Sequence, residues 1–233
     1  MRNGPSGKLL DFSFQNRDQI STLDELGRCL SNICNMVPGG LVVFFPSYAY
    51  EAKVFEHFEK TGVLTRLGAK KKIFREPKKT SEMDQVLRHY ARNAVKTGAI
   101  LLSVVGGKMS EGINFSDDLG RCVVMVGLPF PNLKSPELKE RMNYLNSNVA
   151  PSKDGRSAGQ VHYENLCMKA VNQSIGRAIR HKADYASIIL VDHRYSRPNI
   201  INQLPGWIKQ RVSVEEKFGP MIPKLRMFYK LKG

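Results

Sequence analysis

The sequence lacks the loop G-x-x-x-x-G-K-[ST] that a self-sufficient nucleoside-triphosphate site needs. Its nearest echo is Gly4-Pro5-Ser6-Gly7-Lys8, where the spacing is wrong and the lysine leads into a strand-like pattern instead of a helix. No acidic quartet of the D-E-A-H type occurs, so the carboxylates that hold a metal beside such a loop are missing. Cysteine is scarce: Cys29, Cys34, Cys122 and Cys167 form no C-x-x-C pair. A zinc ribbon and a disulfide framework are excluded, and a reduced intracellular protein fits. No apolar run approaches the ~20 residues that span a bilayer, and the first residues carry no long apolar signal segment. The expectation is a soluble protein of the nucleus or cytosol with no membrane partner. Acidic residues are short too, 21 against 36 Lys and Arg, for a net charge of +15. That excess favours a polyanion, nucleic acid before an anionic membrane surface. The plainer reading is a piece of protein whose acidic neighbour lies elsewhere.

What is present reads as one domain. The chain has 233 residues, 42% hydrophobic and 24% charged, enough for one sizeable core. Short apolar runs over 41–45 (LVVFF), 100–105 (ILLSVV), 122–127 (CVVMVG) and 187–192 (SIILVD) predict strands covered on both faces. Alternation over 9–14 (LLDFSF) predicts a further strand, and KKIF at 71–74 a short one. Helices are expected over 18–36, from Ser47 as N-cap to about 60, over 81–96, 136–146 and 163–180, and through most of 204–232. Strands alternating with helices give an α/β fold, a mainly parallel sheet flanked by helices on both faces. Residues 148–159 (NVAPSKDGRSAG) are the expected mobile loop.

Two segments carry chemistry. The first, GGKMSEGINFSD at 106–117, follows an apolar strand, where ligands of open α/β sheets bind. Its glycines let backbone N–H groups approach a phosphate, Lys108 adds a point charge, and Glu111 could orient water or an arginine. An ordinary loop would look similar. The second, QSIGRAIRHKADYA at 173–186, continues a helical pattern. At ~100° per residue, Gln173, Arg177 and Arg180 fall within about 60° of one another, opposite Ile175 and Ile179. Two arginines one turn apart suit bidentate grip of phosphate oxygens, although a solvated helix face would show the same pair.

With GGLVVFFPSY at 39–48, these segments resemble motifs IV, V and VI, in order and spacing, of the second motor domain of superfamily 2 helicases of the XPD-like iron–sulfur group. VVMVGLPFPN at 123–132 and LVDHRY at 190–195 resemble further signatures, so the likeness covers nearly the whole chain. EGINFSD, with Asn114 where most members carry Asp, is most similar to the ChlR-type, sister-chromatid-cohesion branch. The resemblance implies a RecA-like domain. It also implies an ATP site shared with a first motor domain that supplies the P-loop, the Mg²⁺ carboxylates and a cysteine-ligated iron–sulfur cluster. Arg177 and Arg180 would be arginine fingers, and Gln173 would contact the γ-phosphate or its water. Glu111 and Gly112 would sense nucleotide, and Asn114 would meet the ribose. Ser47, Tyr48 and Lys108 would line a single-stranded DNA track. The implied activity is a nuclear ATP-dependent 5′–3′ DNA helicase acting in cohesion and repair, with single-stranded or forked DNA and the first motor domain as partners. The chain alone is then expected to be inactive. A non-catalytic nucleic-acid-binding or interaction module, left by truncation of a paralogue, is the other reading.

Three features read as structure. The basic run KKKIFREPKK at 70–79 is the profile of a solvated sheet edge, with phosphate contact as the alternative. Trp207 is a packing anchor rather than a base-stacking ring. His181 and His193 have no metal-ligand partners in the sequence pattern.

Overall fold

The computed structural model describes residues 1–109 and 114–232. Five parallel strands run in the order β2-β3-β1-β4-β5. They are β1 (Gly40–Phe45), β2 (Lys72–Arg75), β3 (Ala99–Val104), β4 (Cys122–Val126) and β5 (Ser187–Val191). Every residue of β1, β3 and β4 is buried, as their unbroken apolar runs require.

Successive side chains point to opposite faces, so each strand feeds two cores. Leu41, Val43, Phe45, Ile100, Leu102, Val124 and Val126 enter one. Helices α1 (Ile20–Cys34), α2 (Tyr48–Lys60), α3 (Val63–Gly68) and, late in the chain, Phe218–Lys232 cover it. Val42, Phe44, Leu101, Val123 and Met125 enter the other, under α4 (Met83–Lys96) and Ala158–Ile175. Among the described residues, the later helices in chain order are α5 (Pro136–Asn148), α6 (Ala158–Ile175), α7 (Pro198–Ile201), α8 (Gly206–Lys209) and α9 (Phe218–Lys232). Serine caps fix three starts: Ser47, Ser135 and Ser157 accept from the backbone N–H three residues on.

The expected strand over 9–14 does not form. Leu10 and Phe12 are buried; the Leu10 N–H donates to the Arg2 carbonyl (2.8 Å), and the segment is otherwise tied to residues just past β5. The His193 N–H donates to the Leu10 carbonyl (2.8 Å), and the Phe12 N–H donates to Asp192 Oδ2 (3.2 Å). The alternation records a strap with one buried side, joined to Asn3 by a single antiparallel bridge at Leu9 and not by a ladder. Asp192, fully buried, also accepts from the Arg194 N–H and guanidinium at 2.7–2.9 Å. The LVDHRY signature is therefore a structural clamp.

Two further expectations change. The helix expected over 163–180 starts at Ala158, because Ser157 caps it, and ends at Ile175. In the expected mobile loop before it, the Ser152 N–H bonds to the Arg156 carbonyl (2.9 Å), and Arg156 pairs with Asp154 and Glu164. The basic run at 70–79 is not uniformly solvated. Lys71 is buried and donates to the Gly39 carbonyl (2.7 Å), while Arg75 pairs twice with Glu51 and lies 3.9 Å over the Phe55 ring.

Candidate nucleotide and nucleic-acid faces

The candidate residues fall on opposite edges of the sheet. At the carboxyl edge, β1 delivers Ser47 and Tyr48, β2 delivers Glu76, and β3 delivers residues 106–109. Ser47 Oγ caps α2 by accepting from the Tyr50 N–H (3.2 Å). Tyr48 is 40% exposed, and its hydroxyl donates to Glu76 Oε1 at 2.6 Å. Burial, then that carboxylate, pushes its pKa up to about 12. Lys108 is exposed and reaches Thr80 Oγ1 (2.7 Å), so its charge sits over the entry to α4.

At the amino edge, the ends of the two sequence motifs meet. The Phe115 N–H donates to the Arg177 carbonyl (3.1 Å), and the buried Phe115 ring meets Phe44 edge-on at 6.1 Å. The Asp184 carboxylate, with no exposed side-chain area, is the hub. It accepts from the N–H groups of Asp117, Arg180 and Tyr185 and from Arg121 Nη1, at 2.8–3.3 Å. Arg121 bonds in turn to Asp118 and the Tyr185 carbonyl, and its guanidinium lies 4.0 Å from the Tyr185 ring. Asp117 adopts φ 55°, a left-handed conformation unusual outside glycine, and the Asp184 bond holds it there.

This hub corrects the helical-stripe reading of motif VI. After Ile175 the chain makes tight turns, Arg177 N–H to the Ser174 carbonyl (3.3 Å) and Ala178 N–H to the Ile175 carbonyl (3.2 Å). A continued helix would also have kept Ala178 on the buried face of Val171, Ser174 and Ile175; what the turn accomplishes is to bring the Asp184 carboxylate to its seat. Gln173 stays on the exposed end of α6, Arg177 is half-buried in the turn, and Arg180 is exposed beyond it. Among the described residues, Arg180's guanidinium meets no carboxylate. Asn114 is exposed beside this turn, while Glu111 and Gly112 lie outside the described residues. Lys108 and Asn114, six positions apart in one motif, thus stand at opposite edges, because the segment runs from the end of β3 to the start of β4.

Comparison with known proteins decides the family. Residues 30–211 match the family model described as the helicase C-terminal domain. The chain belongs to that family. It is 56% identical over 239 residues to the ATP-dependent DNA helicase DDX11 of Mus musculus, covering 99% of this chain and 26% of the relative. It is 49% identical over 210 residues to the ATP-dependent DNA helicase CHL1 of Candida albicans, covering 88% and 25%. An XPD helicase structure superimposes with a TM-score of 0.63 at 20% identity, over 88% of this chain and 33% of that one. S. tokodaii Xpd4 gives 0.58 at 22%, over 85% and 35%. The fold is accordingly RecA-like, and the chain spans about a quarter of the length of the curated relatives it matches.

The donor sets also bear on the groups that such a helicase C-terminal domain implies. Asp117, His181 and Asp184 place their ligand atoms within 4.8 Å of one another, so His181 does have partners that the linear pattern hid. They do not fit Mg²⁺, because Asp184 is already saturated by N–H donors and His181 pairs with Asp117 at 3.1 Å. An iron–sulfur cluster does not fit either. All four thiols are buried in the two cores, and burial pushes Cys122 and Cys167 up to about 12. Trp207, expected as a packing anchor, is 44% exposed beside an apolar cavity of about 410 Å³ next to β5.

Sequence reasoning missed Glu76 and Asp184. Glu76 lay hidden in a lysine-rich run, and only its burial distinguishes it. Asp184 could have been suspected from its place in H-K-A-D-Y, a short polar residue in a turn before a strand.

Proposed function

We propose that this domain is the second motor half of an ATP-dependent DNA helicase, completing a nucleotide site whose phosphate cradle belongs to another domain. The observation that carries this reading is the amino-edge junction. The buried Asp184 fixes the 177–184 turn to the end of motif V and leaves Arg180 exposed with no carboxylate partner among the described residues. An exposed guanidinium on a backbone-anchored turn, with no carboxylate to neutralise it, is what a phosphate arriving from outside requires.

In this reading Arg177 and Arg180 are arginine fingers that neutralise charge developing on the γ-phosphate oxygens. Gln173 contacts the γ-phosphate or orients its water, and Asn114 bonds a ribose hydroxyl without contributing charge. Glu111 and Gly112 relay the nucleotide state towards Lys108. ATP supplies the transferable phosphoryl group, and its Mg²⁺ ligands come from the first motor domain, as does the iron–sulfur cluster. The carboxyl edge, with Ser47, Tyr48 and Lys108, is the single-stranded DNA track, moved as the cleft between the motor domains opens and closes. The 5′–3′ polarity, the nuclear setting and a role in cohesion and repair follow from the family resemblance.

The DNA half is testable on the chain itself. Net charge +15 should give weak binding to single strands with little regard to sequence. The affinity should fall with a log–log salt slope of about −3 to −4, the slope for roughly four to six neutralised phosphates. Fluorescence titration of two unrelated oligonucleotides at several salt concentrations measures it. Salt-independent binding, or strong discrimination between the oligonucleotides, would contradict the track and favour a base-reading module.

A further inference from the structure

We propose that Glu76 is a positioning residue for the DNA track: its carboxylate sets where the 106–109 loop and Tyr48 stand relative to β3. The proposal rests on the DNA-track reading above.

Glu76 is 9% exposed although the run around it is rich in lysine. Among the described residues, no lysine pairs with it. Its two oxygens each accept from one hydroxyl and one backbone N–H. Oε1 takes the Tyr48 hydroxyl (2.6 Å) and the Met109 N–H (3.2 Å). Oε2 takes the Ser103 hydroxyl (2.7 Å) and the Val104 N–H (2.9 Å). One side of the carboxylate therefore grips the end of β3, and the other grips the loop and the first residue of α2. The Glu76 N–H donates to the Leu102 carbonyl (2.9 Å), which extends the β2–β3 ladder and fixes the base of the side chain.

Gly107 fits this clamp. A Cβ there would lie 2.3 Å from Glu76 Oε1 and 2.8 Å from the Tyr48 hydroxyl, so the loop closes over the carboxylate only because residue 107 has no side chain. Tyr48 and the loop that carries Lys108, the exposed members of the proposed track, are thus held by one buried anion.

Glu76→Gln separates the two grips. Hydroxyls can reverse and accept from an amide NH2, but backbone N–H groups cannot. The amide oxygen can serve Val104 or Met109, not both. The shorter bond and the rigid strand favour Val104, so the amide NH2 faces the Met109 N–H and pushes the loop away.

The expected result on the purified chain is faster hydrogen exchange at Met109, by about tenfold or more, with core amides of β1 and β3 unchanged. Affinity for a single-stranded oligonucleotide should fall about three- to tenfold with the same salt slope, because no cationic group is lost. Tyr48→Phe, which keeps the carboxylate, should weaken binding in the same direction but less. Lys108→Ala is the control for the track itself and should lower both affinity and slope. Unchanged exchange at Met109, or exchange that rises equally across the core, overturns the proposal. A freed Met109 with unchanged affinity also overturns it where Lys108→Ala does weaken binding. Where Lys108→Ala leaves affinity and slope untouched, the DNA-track reading itself is what fails.

Discussion

Arg180→Ala, made in this domain paired with a P-loop motor domain of the same family, should lower DNA-stimulated ATP turnover by roughly 10³- to 10⁵-fold. DNA affinity should stay within about twofold, since one exposed charge far from the track contributes little to it. The ground is local. Arg180's anchoring bond to Asp184 is made by its backbone N–H, which alanine keeps, and its side chain is exposed. With Arg180 as the proposed arginine finger, the substitution would remove a transition-state contact and spare the fold. Arg180→Lys should fail nearly as badly, because an ammonium cannot present a planar fork to two phosphate oxygens. Turnover at the parental rate would make Arg180 an ordinary surface charge. Single-turnover phosphate release separates this outcome from slow product release.

Asp184→Ala should act by the opposite route. It strips four N–H donors of their acceptor and leaves Arg121, whose side chain is 10% exposed, without its most buried partner. Removing one member of a buried ion pair costs about 3–5 kcal/mol. The loss should appear as an earlier transition in urea denaturation. Asp117 would also lose the bond that holds its left-handed backbone. Turnover in the paired protein should fall with stability, in contrast to Arg180→Ala. A stability change under about 1 kcal/mol would show that the junction of motifs V and VI does not depend on this carboxylate.

The sheet was legible because its central strands are buried on both faces and so write continuous apolar runs. β1, β3, β4 and β5 lie within one residue of their expected bounds. The 9–14 strap was misread because burial on one side produces the same alternation whether or not a neighbouring strand supplies hydrogen bonds. The error in α6 is more instructive. Gln173, Arg177 and Arg180 keep helical spacing in the sequence, yet the chain leaves the helix after Ile175 to seat Asp184, a demand made by Asp117 and Arg121 from more than sixty residues away. Periodicity cannot register such a requirement. Glu76 was illegible for the same reason: its partners come from β3, α2 and the loop, none adjacent to it in sequence.

The central claim is that this domain holds only the arginine side of a shared nucleotide site. Steady-state ATP hydrolysis with saturating single-stranded DNA tests it most directly, measured on the 233-residue chain alone and again with a P-loop motor domain of the same family joined to it. The account predicts no turnover above background for the chain alone and DNA-stimulated turnover for the pair, lost on Arg180→Ala. Clear hydrolysis by the chain alone, abolished by Arg180→Ala, would contradict it.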